Sequence, residues 1–419
     1  MQVPPYSAWE VETDKLRPEF FDYVFLGKGN AEDVAKSTGI RFETVTRCRE
    51  SFDYWYNETS RHSGPDLIFN HLTMYLFNHV AVFDEKRWPK QIVVNGMVLS
   101  EGEKMSKSIG NIMPLMDGIA RCGADPLRTV VIAGADLLSD SDYSDDAVNG
   151  VRERFEYLHG LCANAESYDT GELKHIDYWL YSKLNRKILA ATESMEKLEL
   201  RDAFTNVLYS SVLELKRYQA RGGGNGIVLK DYLSAVSLML QPLAPHVSEE
   251  FWHMLGNATF SSLERWPEAD ESMISDNMER GEELINETLS DAKDVMELMA
   301  KKGGKAPSTV RIIVADDWKR ELMNALAKER NVAGAMKKAK EMEGVDMEKA
   351  SKYLGGLAKK IGSIRENGMT QEDELGIYAG AKEYMKGMLN ADVEIEKESE
   401  SESQRAGRAV PLKPSIEIS

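Results

Sequence analysis

The rhythm of apolar and polar positions changes three times along the chain. Residues 1–15 are polar and Pro-containing and show no core-like period. The aromatic-rich stretch PEFFDYVFLG follows at 18–27, and helical segments are predicted over 32–36 and 42–52. Gly64, Pro65 and Asp66 form a turn. After it, Leu67, Ile68, Leu72, Tyr75, Leu76 and Val80 keep a helical period through Val82. Ile92–Val94 and Met97–Leu99 read as strand, and Leu115–Cys122 reads as a helix set between Pro114 and Gly123. Residues 125–135, which include Arg128, are apolar enough for helix or strand, and the acidic run 136–146 marks a domain boundary.

From 151 to about 298 the strand signals vanish. Long amphipathic helices are predicted over 152–162, 177–198, 203–218, 230–240 and 246–255, with RGGGNG at 221–226 as a flexible turn. The remainder mixes periods: a strand at 310–315, a helix at 318–328, charged helices to about 389, and strands at 391–396 and 414–418. The acidic stretch 398–402 reads as a solvated hairpin loop. The fold class is therefore α/β followed by all-α, with a small α+β appendage and no internal repeat.

At 419 residues the chain is long enough for two or three domains with sizeable cores. No apolar run approaches the roughly 20 residues that span a bilayer, and the N-terminus has no signal-peptide pattern. Three scattered cysteines, Cys48, Cys122 and Cys162, make neither a disulfide framework nor a zinc knuckle, which suits a reducing cytoplasm. A net charge of −17 excludes a generally basic nucleic-acid binder but leaves room for a local basic patch. Lys301–Lys302, Lys305, Arg311, Lys319–Arg320 and Lys337–Lys338–Lys340 are the candidates, with a solvated helix face as the competing reading.

The chemistry concentrates in NGMVLSEGEKMSKSIGN, residues 95–111. Lys104, Met105, Ser106, Lys107 and Ser108 form a loop bracketed by Gly102 and Gly110. Two ammonium groups and two hydroxyls suit phosphate oxygens and no hydrophobic core. Expelling pyrophosphate from ATP calls for such a cationic clamp on the leaving group. The literal string KMSKS should arise by chance about once in ten thousand chains of this size. Asp66, at a turn-to-helix junction, either accepts hydrogen bonds from ribose hydroxyls or merely caps the helix. His71 and His79 lie on that helix eight residues apart, a spacing that makes no adjacent-turn metal pair, and no metal site is predicted.

KMSKS is the signature of class I aminoacyl-tRNA synthetases. The chain further resembles archaeal-type leucyl-tRNA synthetases in PEFFDYVFLGKG (18–29), RHSGPDLIFNHLTMYLFNHVAVF (61–83), WPKQIVVNGMVLSEGEKMSKSIGN (88–111), PLAPHVSEEFW (242–252) and the closing AVPLKPSIEI. The resemblance implies three parts. Residues 1–148 would be the C-terminal portion of a Rossmann-type catalytic domain, 149–300 a helix-bundle anticodon-binding domain, and 301–419 an α+β appendage touching the long variable arm of tRNA-Leu. It implies ATP-dependent formation of leucyl-adenylate and transfer of leucine to tRNA, with Mg2+ accompanying ATP. Lys107 would be the main contact to the ATP phosphates, assisted by Lys104, Ser106 and Ser108 with Met105 between them. Gly64 and Asp66 would form the ribose-binding turn, and His71 would lie near the adenosine.

Two departures stand out: Pro65 replaces a usual Lys, and residues 57–60 (NETS) replace a segment that tends to carry a Pro and an Asp. A larger one is the lack of a His-x-Gly-His motif and of an inserted editing domain. The expectation is thus a C-terminal half or subunit, inactive without an N-terminal half that brings the opposite wall of the ATP site. The alternatives are a non-catalytic tRNA-binding accessory protein and an isoleucyl- or valyl-tRNA synthetase half.

Overall fold

Short strands and long helices make up this computed structural model, which describes residues 11–56, 60–301, 307–362, 364–366 and 368–419. Residues 57–59 of the NETS segment, and Lys302 and Lys305 of the basic candidates, lie outside the described residues. The chain folds as two units. One comprises Met1–Gly123, Thr129–Val148 and Leu198–Arg201, the other Ala124–Arg128, Asn149–Lys197 and Asp202–Ser419.

The first unit opens with three helices, α1 (Pro18–Leu26), α2 (Ala31–Thr38) and α3 (Phe42–Trp55). Pro18 starts α1 with its φ already fixed and no N–H to satisfy, and Gly27 ends it at φ +69°. Phe20, Val24, Val34, Val45 and Phe52 bury between them as a small core. Strand β1 (Arg61–Ser63) leads into a one-turn 3-10 segment (Pro65–Leu67), a π-helical turn (Ile68–Leu72) and α4 (Thr73–Val82). The apolar period through Leu67–Val82 does make a helix, but of those residues only Leu72 is buried.

β2 (Ile92–Val94) pairs parallel with β1, Arg61 opposite Ile92. β3 (Val98–Ser100) and β4 (Glu103–Lys104) form a hairpin. Then come α5 (Leu115–Cys122), α6 (Ala124–Ala133) and β5 (Ser141–Tyr143). The stretch 125–135 is thus helical, and the acidic run 136–146 contains a strand that pairs parallel with β3. Charged residues masked that strand: in SDY only the outer two side chains face inward, and Asp142 points out.

In the second unit α7 (Asp145–Ala163), α8 (His175–Glu196), α9 (Leu200–Phe204), α10 (Ser211–Ala220), α11 (Gly226–Leu240), α12 (Pro245–Met254) and the 26-residue α13 (Asp276–Lys301) supply the bundle. α7 begins before this unit's Asn149 and α9 before its Asp202. The glycine-rich turn is pinned rather than flexible. Asn225 caps α11 through the Ile227 and Val228 amides, its Nδ2 donates to Gly171 O at 2.9 Å, and its own N–H donates to Tyr218 Oη at 2.9 Å. A Cβ on Gly223 would meet the Tyr218 ring at 2.4 Å, so glycine there reflects close packing.

The final sheet has order β7-β6-β8 (β6 Thr309–Val314, β7 Asp392–Lys397, β8 Ser415–Ile418), with α14 (Asp317–Glu329), α15 (Val332–Glu341), α16 (Met347–Leu357) and α17 (Gln371–Leu389) between β6 and β7. β7 runs parallel to β6 and β8 antiparallel on its other side, so residues 398–402 do not close a hairpin. Nor is that stretch wholly solvated: Glu398 pairs with the buried Lys319 at 2.7 Å. The basic candidates dissolve in the same way. Arg311 sits among Glu394, Glu396 and Glu417, and Arg320 is buried against Glu374. Lys301 ends α13 paired with Glu297 at 2.6 Å, and Lys337, Lys338 and Lys340 lie on α15, where Lys338 meets Glu321 at 3.6 Å.

Candidate functional site

Two adjacent parallel strands organise the site in the first unit. Ser63 ends β1 and Val94 ends β2, and the chain leaves both at the same end, joined there by Asn95 N–H donating to Ser63 O at 3.0 Å. Carboxyl ends of parallel strands are where open α/β sheets bind ligands. From β1 the chain enters Gly64–Pro65–Asp66; from β2 it runs through Gly96 to the hairpin. Gly96 presses on the backbone of Ser139 so closely that a Cβ would lie 2.1 Å from its carbonyl oxygen.

The hairpin turns on Glu101 and Gly102, both left-handed at φ +52° and +77°, the pattern of a two-residue type I′ turn. Glutamate in that region costs about 1–2 kcal/mol. Two bonds to β5 hold it there: Glu101 N–H donates to Tyr143 O at 3.1 Å and Gly102 N–H to Asp142 Oδ1 at 2.8 Å. Beyond Lys104 the KMSKS stretch folds into one closed turn. Ser106 O accepts from Ile109 N–H (3.2 Å) and Gly110 N–H (3.0 Å), and Gly110 reverses the chain at φ +80°. Ser106 and Ser108 hydroxyls lie 2.7 Å apart, which uses one hydroxyl proton and leaves the other for a ligand. Lys104, Lys107 and Ser108 are exposed, Met105 and Ser106 half-buried. Among the described residues neither ammonium has an ion-pair partner, so both keep their charge available for an incoming anion.

Asn111, which sequence reasoning passed over, spans this turn. Its Oδ1 accepts Ser106 N–H at 2.8 Å and its Nδ2 donates to Lys104 O at 3.2 Å. The signal for it was its place directly after Gly110, where an amide can serve both ends of a loop.

At the neighbouring strand end, the N-cap of the 3-10 turn is Gly64, without a side-chain cap bond. The capping reading of Asp66 is therefore wrong: its carboxylate is exposed, and a Cβ on Gly64 would lie 2.8 Å from its Oδ1. His71 is exposed, with Nε2 accepting from Arg61 Nη2 at 3.2 Å, since a guanidinium can only donate. Arg61, also unmarked by the sequence reading, lies over the Tyr75 ring at 5.7 Å. His79 is structural: its Nδ1 bonds Tyr75 O at 2.7 Å and its Nε2 the Tyr56 hydroxyl at 2.8 Å. No group of three or more His, Cys, Asp and Glu among the described residues is arranged to hold a metal. No helix among them is long and apolar enough to cross a membrane.

Arg128 serves the second unit. Its Nε donates to Leu243 O at 2.9 Å and its Nη2 to Pro242 O at 3.1 Å, where α11 ends. Clefts of about 460 Å3, lined by Glu321, Lys328 and Lys337 among others, and about 370 Å3, lined by Arg405, Arg408 and Asp291 among others, lie in that unit's C-terminal part. The lysine loop itself is open surface.

The chain reaches the KMSKS turn from the end of β2, and the second unit contains a helix bundle; comparison with known families finds matches to both regions. Residues 33–144 match the family described as tRNA synthetases class I (I, L, M and V). Residues 177–308 match the anticodon-binding domain of tRNA ligase. The chain is thus similar to part of a class I synthetase catalytic domain and to an anticodon-binding domain. Among curated relatives it is 34% identical to the leucine–tRNA ligases of Methanothrix thermoacetophila, Methanocaldococcus jannaschii and Pyrococcus abyssi, over 97% of its own length in each case. It is a homologue of the archaeal leucine–tRNA ligases. It spans 44%, 42% and 43% of those relatives respectively, less than half of each. A LeuRS–tRNA–LeuAMS ternary complex from Agrobacterium radiobacter K84 matches with TM-score 0.45 at 18% identity, covering 62% of this chain and 30% of that one.

Proposed function

We propose that this chain is the KMSKS-bearing part of a leucine–tRNA ligase, which joins leucine to ATP as leucyl-adenylate, releases pyrophosphate and passes leucine to tRNA-Leu. The observation that carries the reading is the closed KMSKS turn with two uncompensated ammonium groups, in a chain homologous to leucine–tRNA ligases along almost all its length. Lys107, at the crest of the turn, and Lys104, at the end of β4, bind the phosphates and stabilise the charge that grows on the leaving pyrophosphate. The Ser106 and Ser108 hydroxyls add hydrogen bonds, with half-buried Met105 between the two lysines. Gly64 and Asp66 hold the ribose and His71 borders the adenosine. Mg2+ would arrive with ATP, bound mainly by its phosphates and water.

On this reading residues 1–148 are the catalytic, Rossmann-type part, 149–300 the bundle that supports tRNA, and 301–419 the appendage on its long arm. The opposite wall of the ATP site, with the His-x-Gly-His motif, comes from further catalytic polypeptide, on the same chain or a separate one. The surface left open supports this. Among the described residues β1 and β2 form a two-stranded parallel sheet, and parallel strands are normally covered on both faces and extended by neighbours. Beside them Phe69 (92% exposed), Phe77 (68%) and Met74 (64%) form an apolar surface typical of an interface. Leucine-dependent ATP–pyrophosphate exchange tests this. The chain alone should give little, and adding an N-terminal catalytic segment from an archaeal relative should raise exchange by orders of magnitude. Full exchange by the chain alone would refute the need for a second wall.

A further inference from the structure

Within that reading, we propose that Asn111 is a positioning residue of the lysine loop, and that the loop is pre-folded by it before any nucleotide binds. The carboxamide bonds both arms of the turn. Oδ1 takes the Ser106 N–H at 2.8 Å, at the base of the closed turn carrying Lys107. Nδ2 reaches Lys104 O at 3.2 Å, on the arm carrying the other lysine. The two lysines are thus tied to one rigid group three bonds from the backbone. The far end of the hairpin is tied independently by Asp142, which accepts Gly102 N–H at 2.8 Å. Asn111 itself is only half-buried and serves no core, so its bonds order the loop and not the unit. A loop already shaped needs less ordering when phosphate arrives, and that difference enters the barrier in full.

The chemistry distinguishes the two halves of the clip. Asn111→Ala removes both bonds. Asn111→Asp keeps the acceptor for Ser106 N–H, but its second oxygen faces the Lys104 carbonyl and repels it.

Two measurements test this, and only one of them depends on the activity. In limited trypsin digestion of the chain as it is, cleavage after Lys104 and Lys107 should be about fivefold faster in Asn111→Ala, with an unchanged thermal midpoint. Asn111→Asp should fall between. Equal cleavage rates would overturn the proposal whatever the protein's function. In leucine-dependent pyrophosphate exchange with the complementary catalytic segment, Asn111→Ala should lower kcat/KM for ATP about tenfold and leave KM for leucine unchanged. The loss should vanish in a Lys104→Ala, Lys107→Ala background, because Asn111 acts only through the lysines. An additive loss, or a changed KM for leucine, would overturn it. If the unsubstituted pair shows no exchange, the proposed function fails while the digestion result still decides the role of Asn111.

Discussion

At the scale of single residues, the site depends on charges left without counter-charges and on backbone held by side chains that are not themselves reactive. Lys104 and Lys107 are exposed with no ion-pair partner among the described residues, in contrast to the buried Lys319–Glu398 and Arg221–Glu282 pairs. Five letters made the lysine loop legible in the sequence, because KMSKS is rare by chance. Asn111, Arg61 and Asp142 were not legible, since their roles come from which backbone atoms the fold brings within reach. One titrating residue gives a residue-scale test. His175 begins α8, and burial lowers its pKa below the ordinary 6.5, Arg221 adding to the shift and Glu282 opposing it. The unfolded chain therefore takes up a proton near pH 6.5 that the folded chain refuses. Stability should fall as pH drops below about 6.5, and His175→Gln should flatten that fall in urea midpoints at pH 7.5 and 5.5.

At the scale of elements, apolar period found most helices, including α2, α3, α5, α8, α11 and α12, to within a few residues of their ends. It failed where charge or context overrode it. β5 is a three-residue strand inside an acidic run, visible only through its pairing with β3. Residues 398–402 were misread as a hairpin because sequence order cannot show that β7 and β8 flank β6 on opposite sides. α13 carries so many acidic residues that it was absorbed into the bundle without bounds, yet it anchors that bundle. Its Glu282 is buried between Arg217 and Arg221 of the α10 segment and the turn after it, at 2.8 and 2.9 Å. Removing one member of a buried ionic cluster leaves uncompensated charge and costs about 3–5 kcal/mol. Glu282→Ala should therefore lower the urea-unfolding free energy of the chain by that much. A change under 1 kcal/mol would mean that the cluster is solvated.

At the scale of the whole molecule, the chain aligns along its length with leucine–tRNA ligases more than twice as long. Composition and charge bounded its class without revealing this; motif stretches such as WPKQIVVNGMVLSEGEKMSKSIGN carried the resemblance. The proposed interface for further catalytic polypeptide is the exposed apolar side of α4 with the two-stranded parallel sheet β1–β2. The central claim is that Lys107 acts on ATP in leucine activation once that surface is covered. Pyrophosphate exchange with the complementary catalytic segment, run with leucine, isoleucine and valine for the unsubstituted chain and for Lys107→Ala, tests it most directly. The account predicts exchange with leucine above the other two, and a loss of at least about a hundredfold on removing Lys107. Exchange that is absent, that prefers isoleucine or valine, or that survives Lys107→Ala would contradict it.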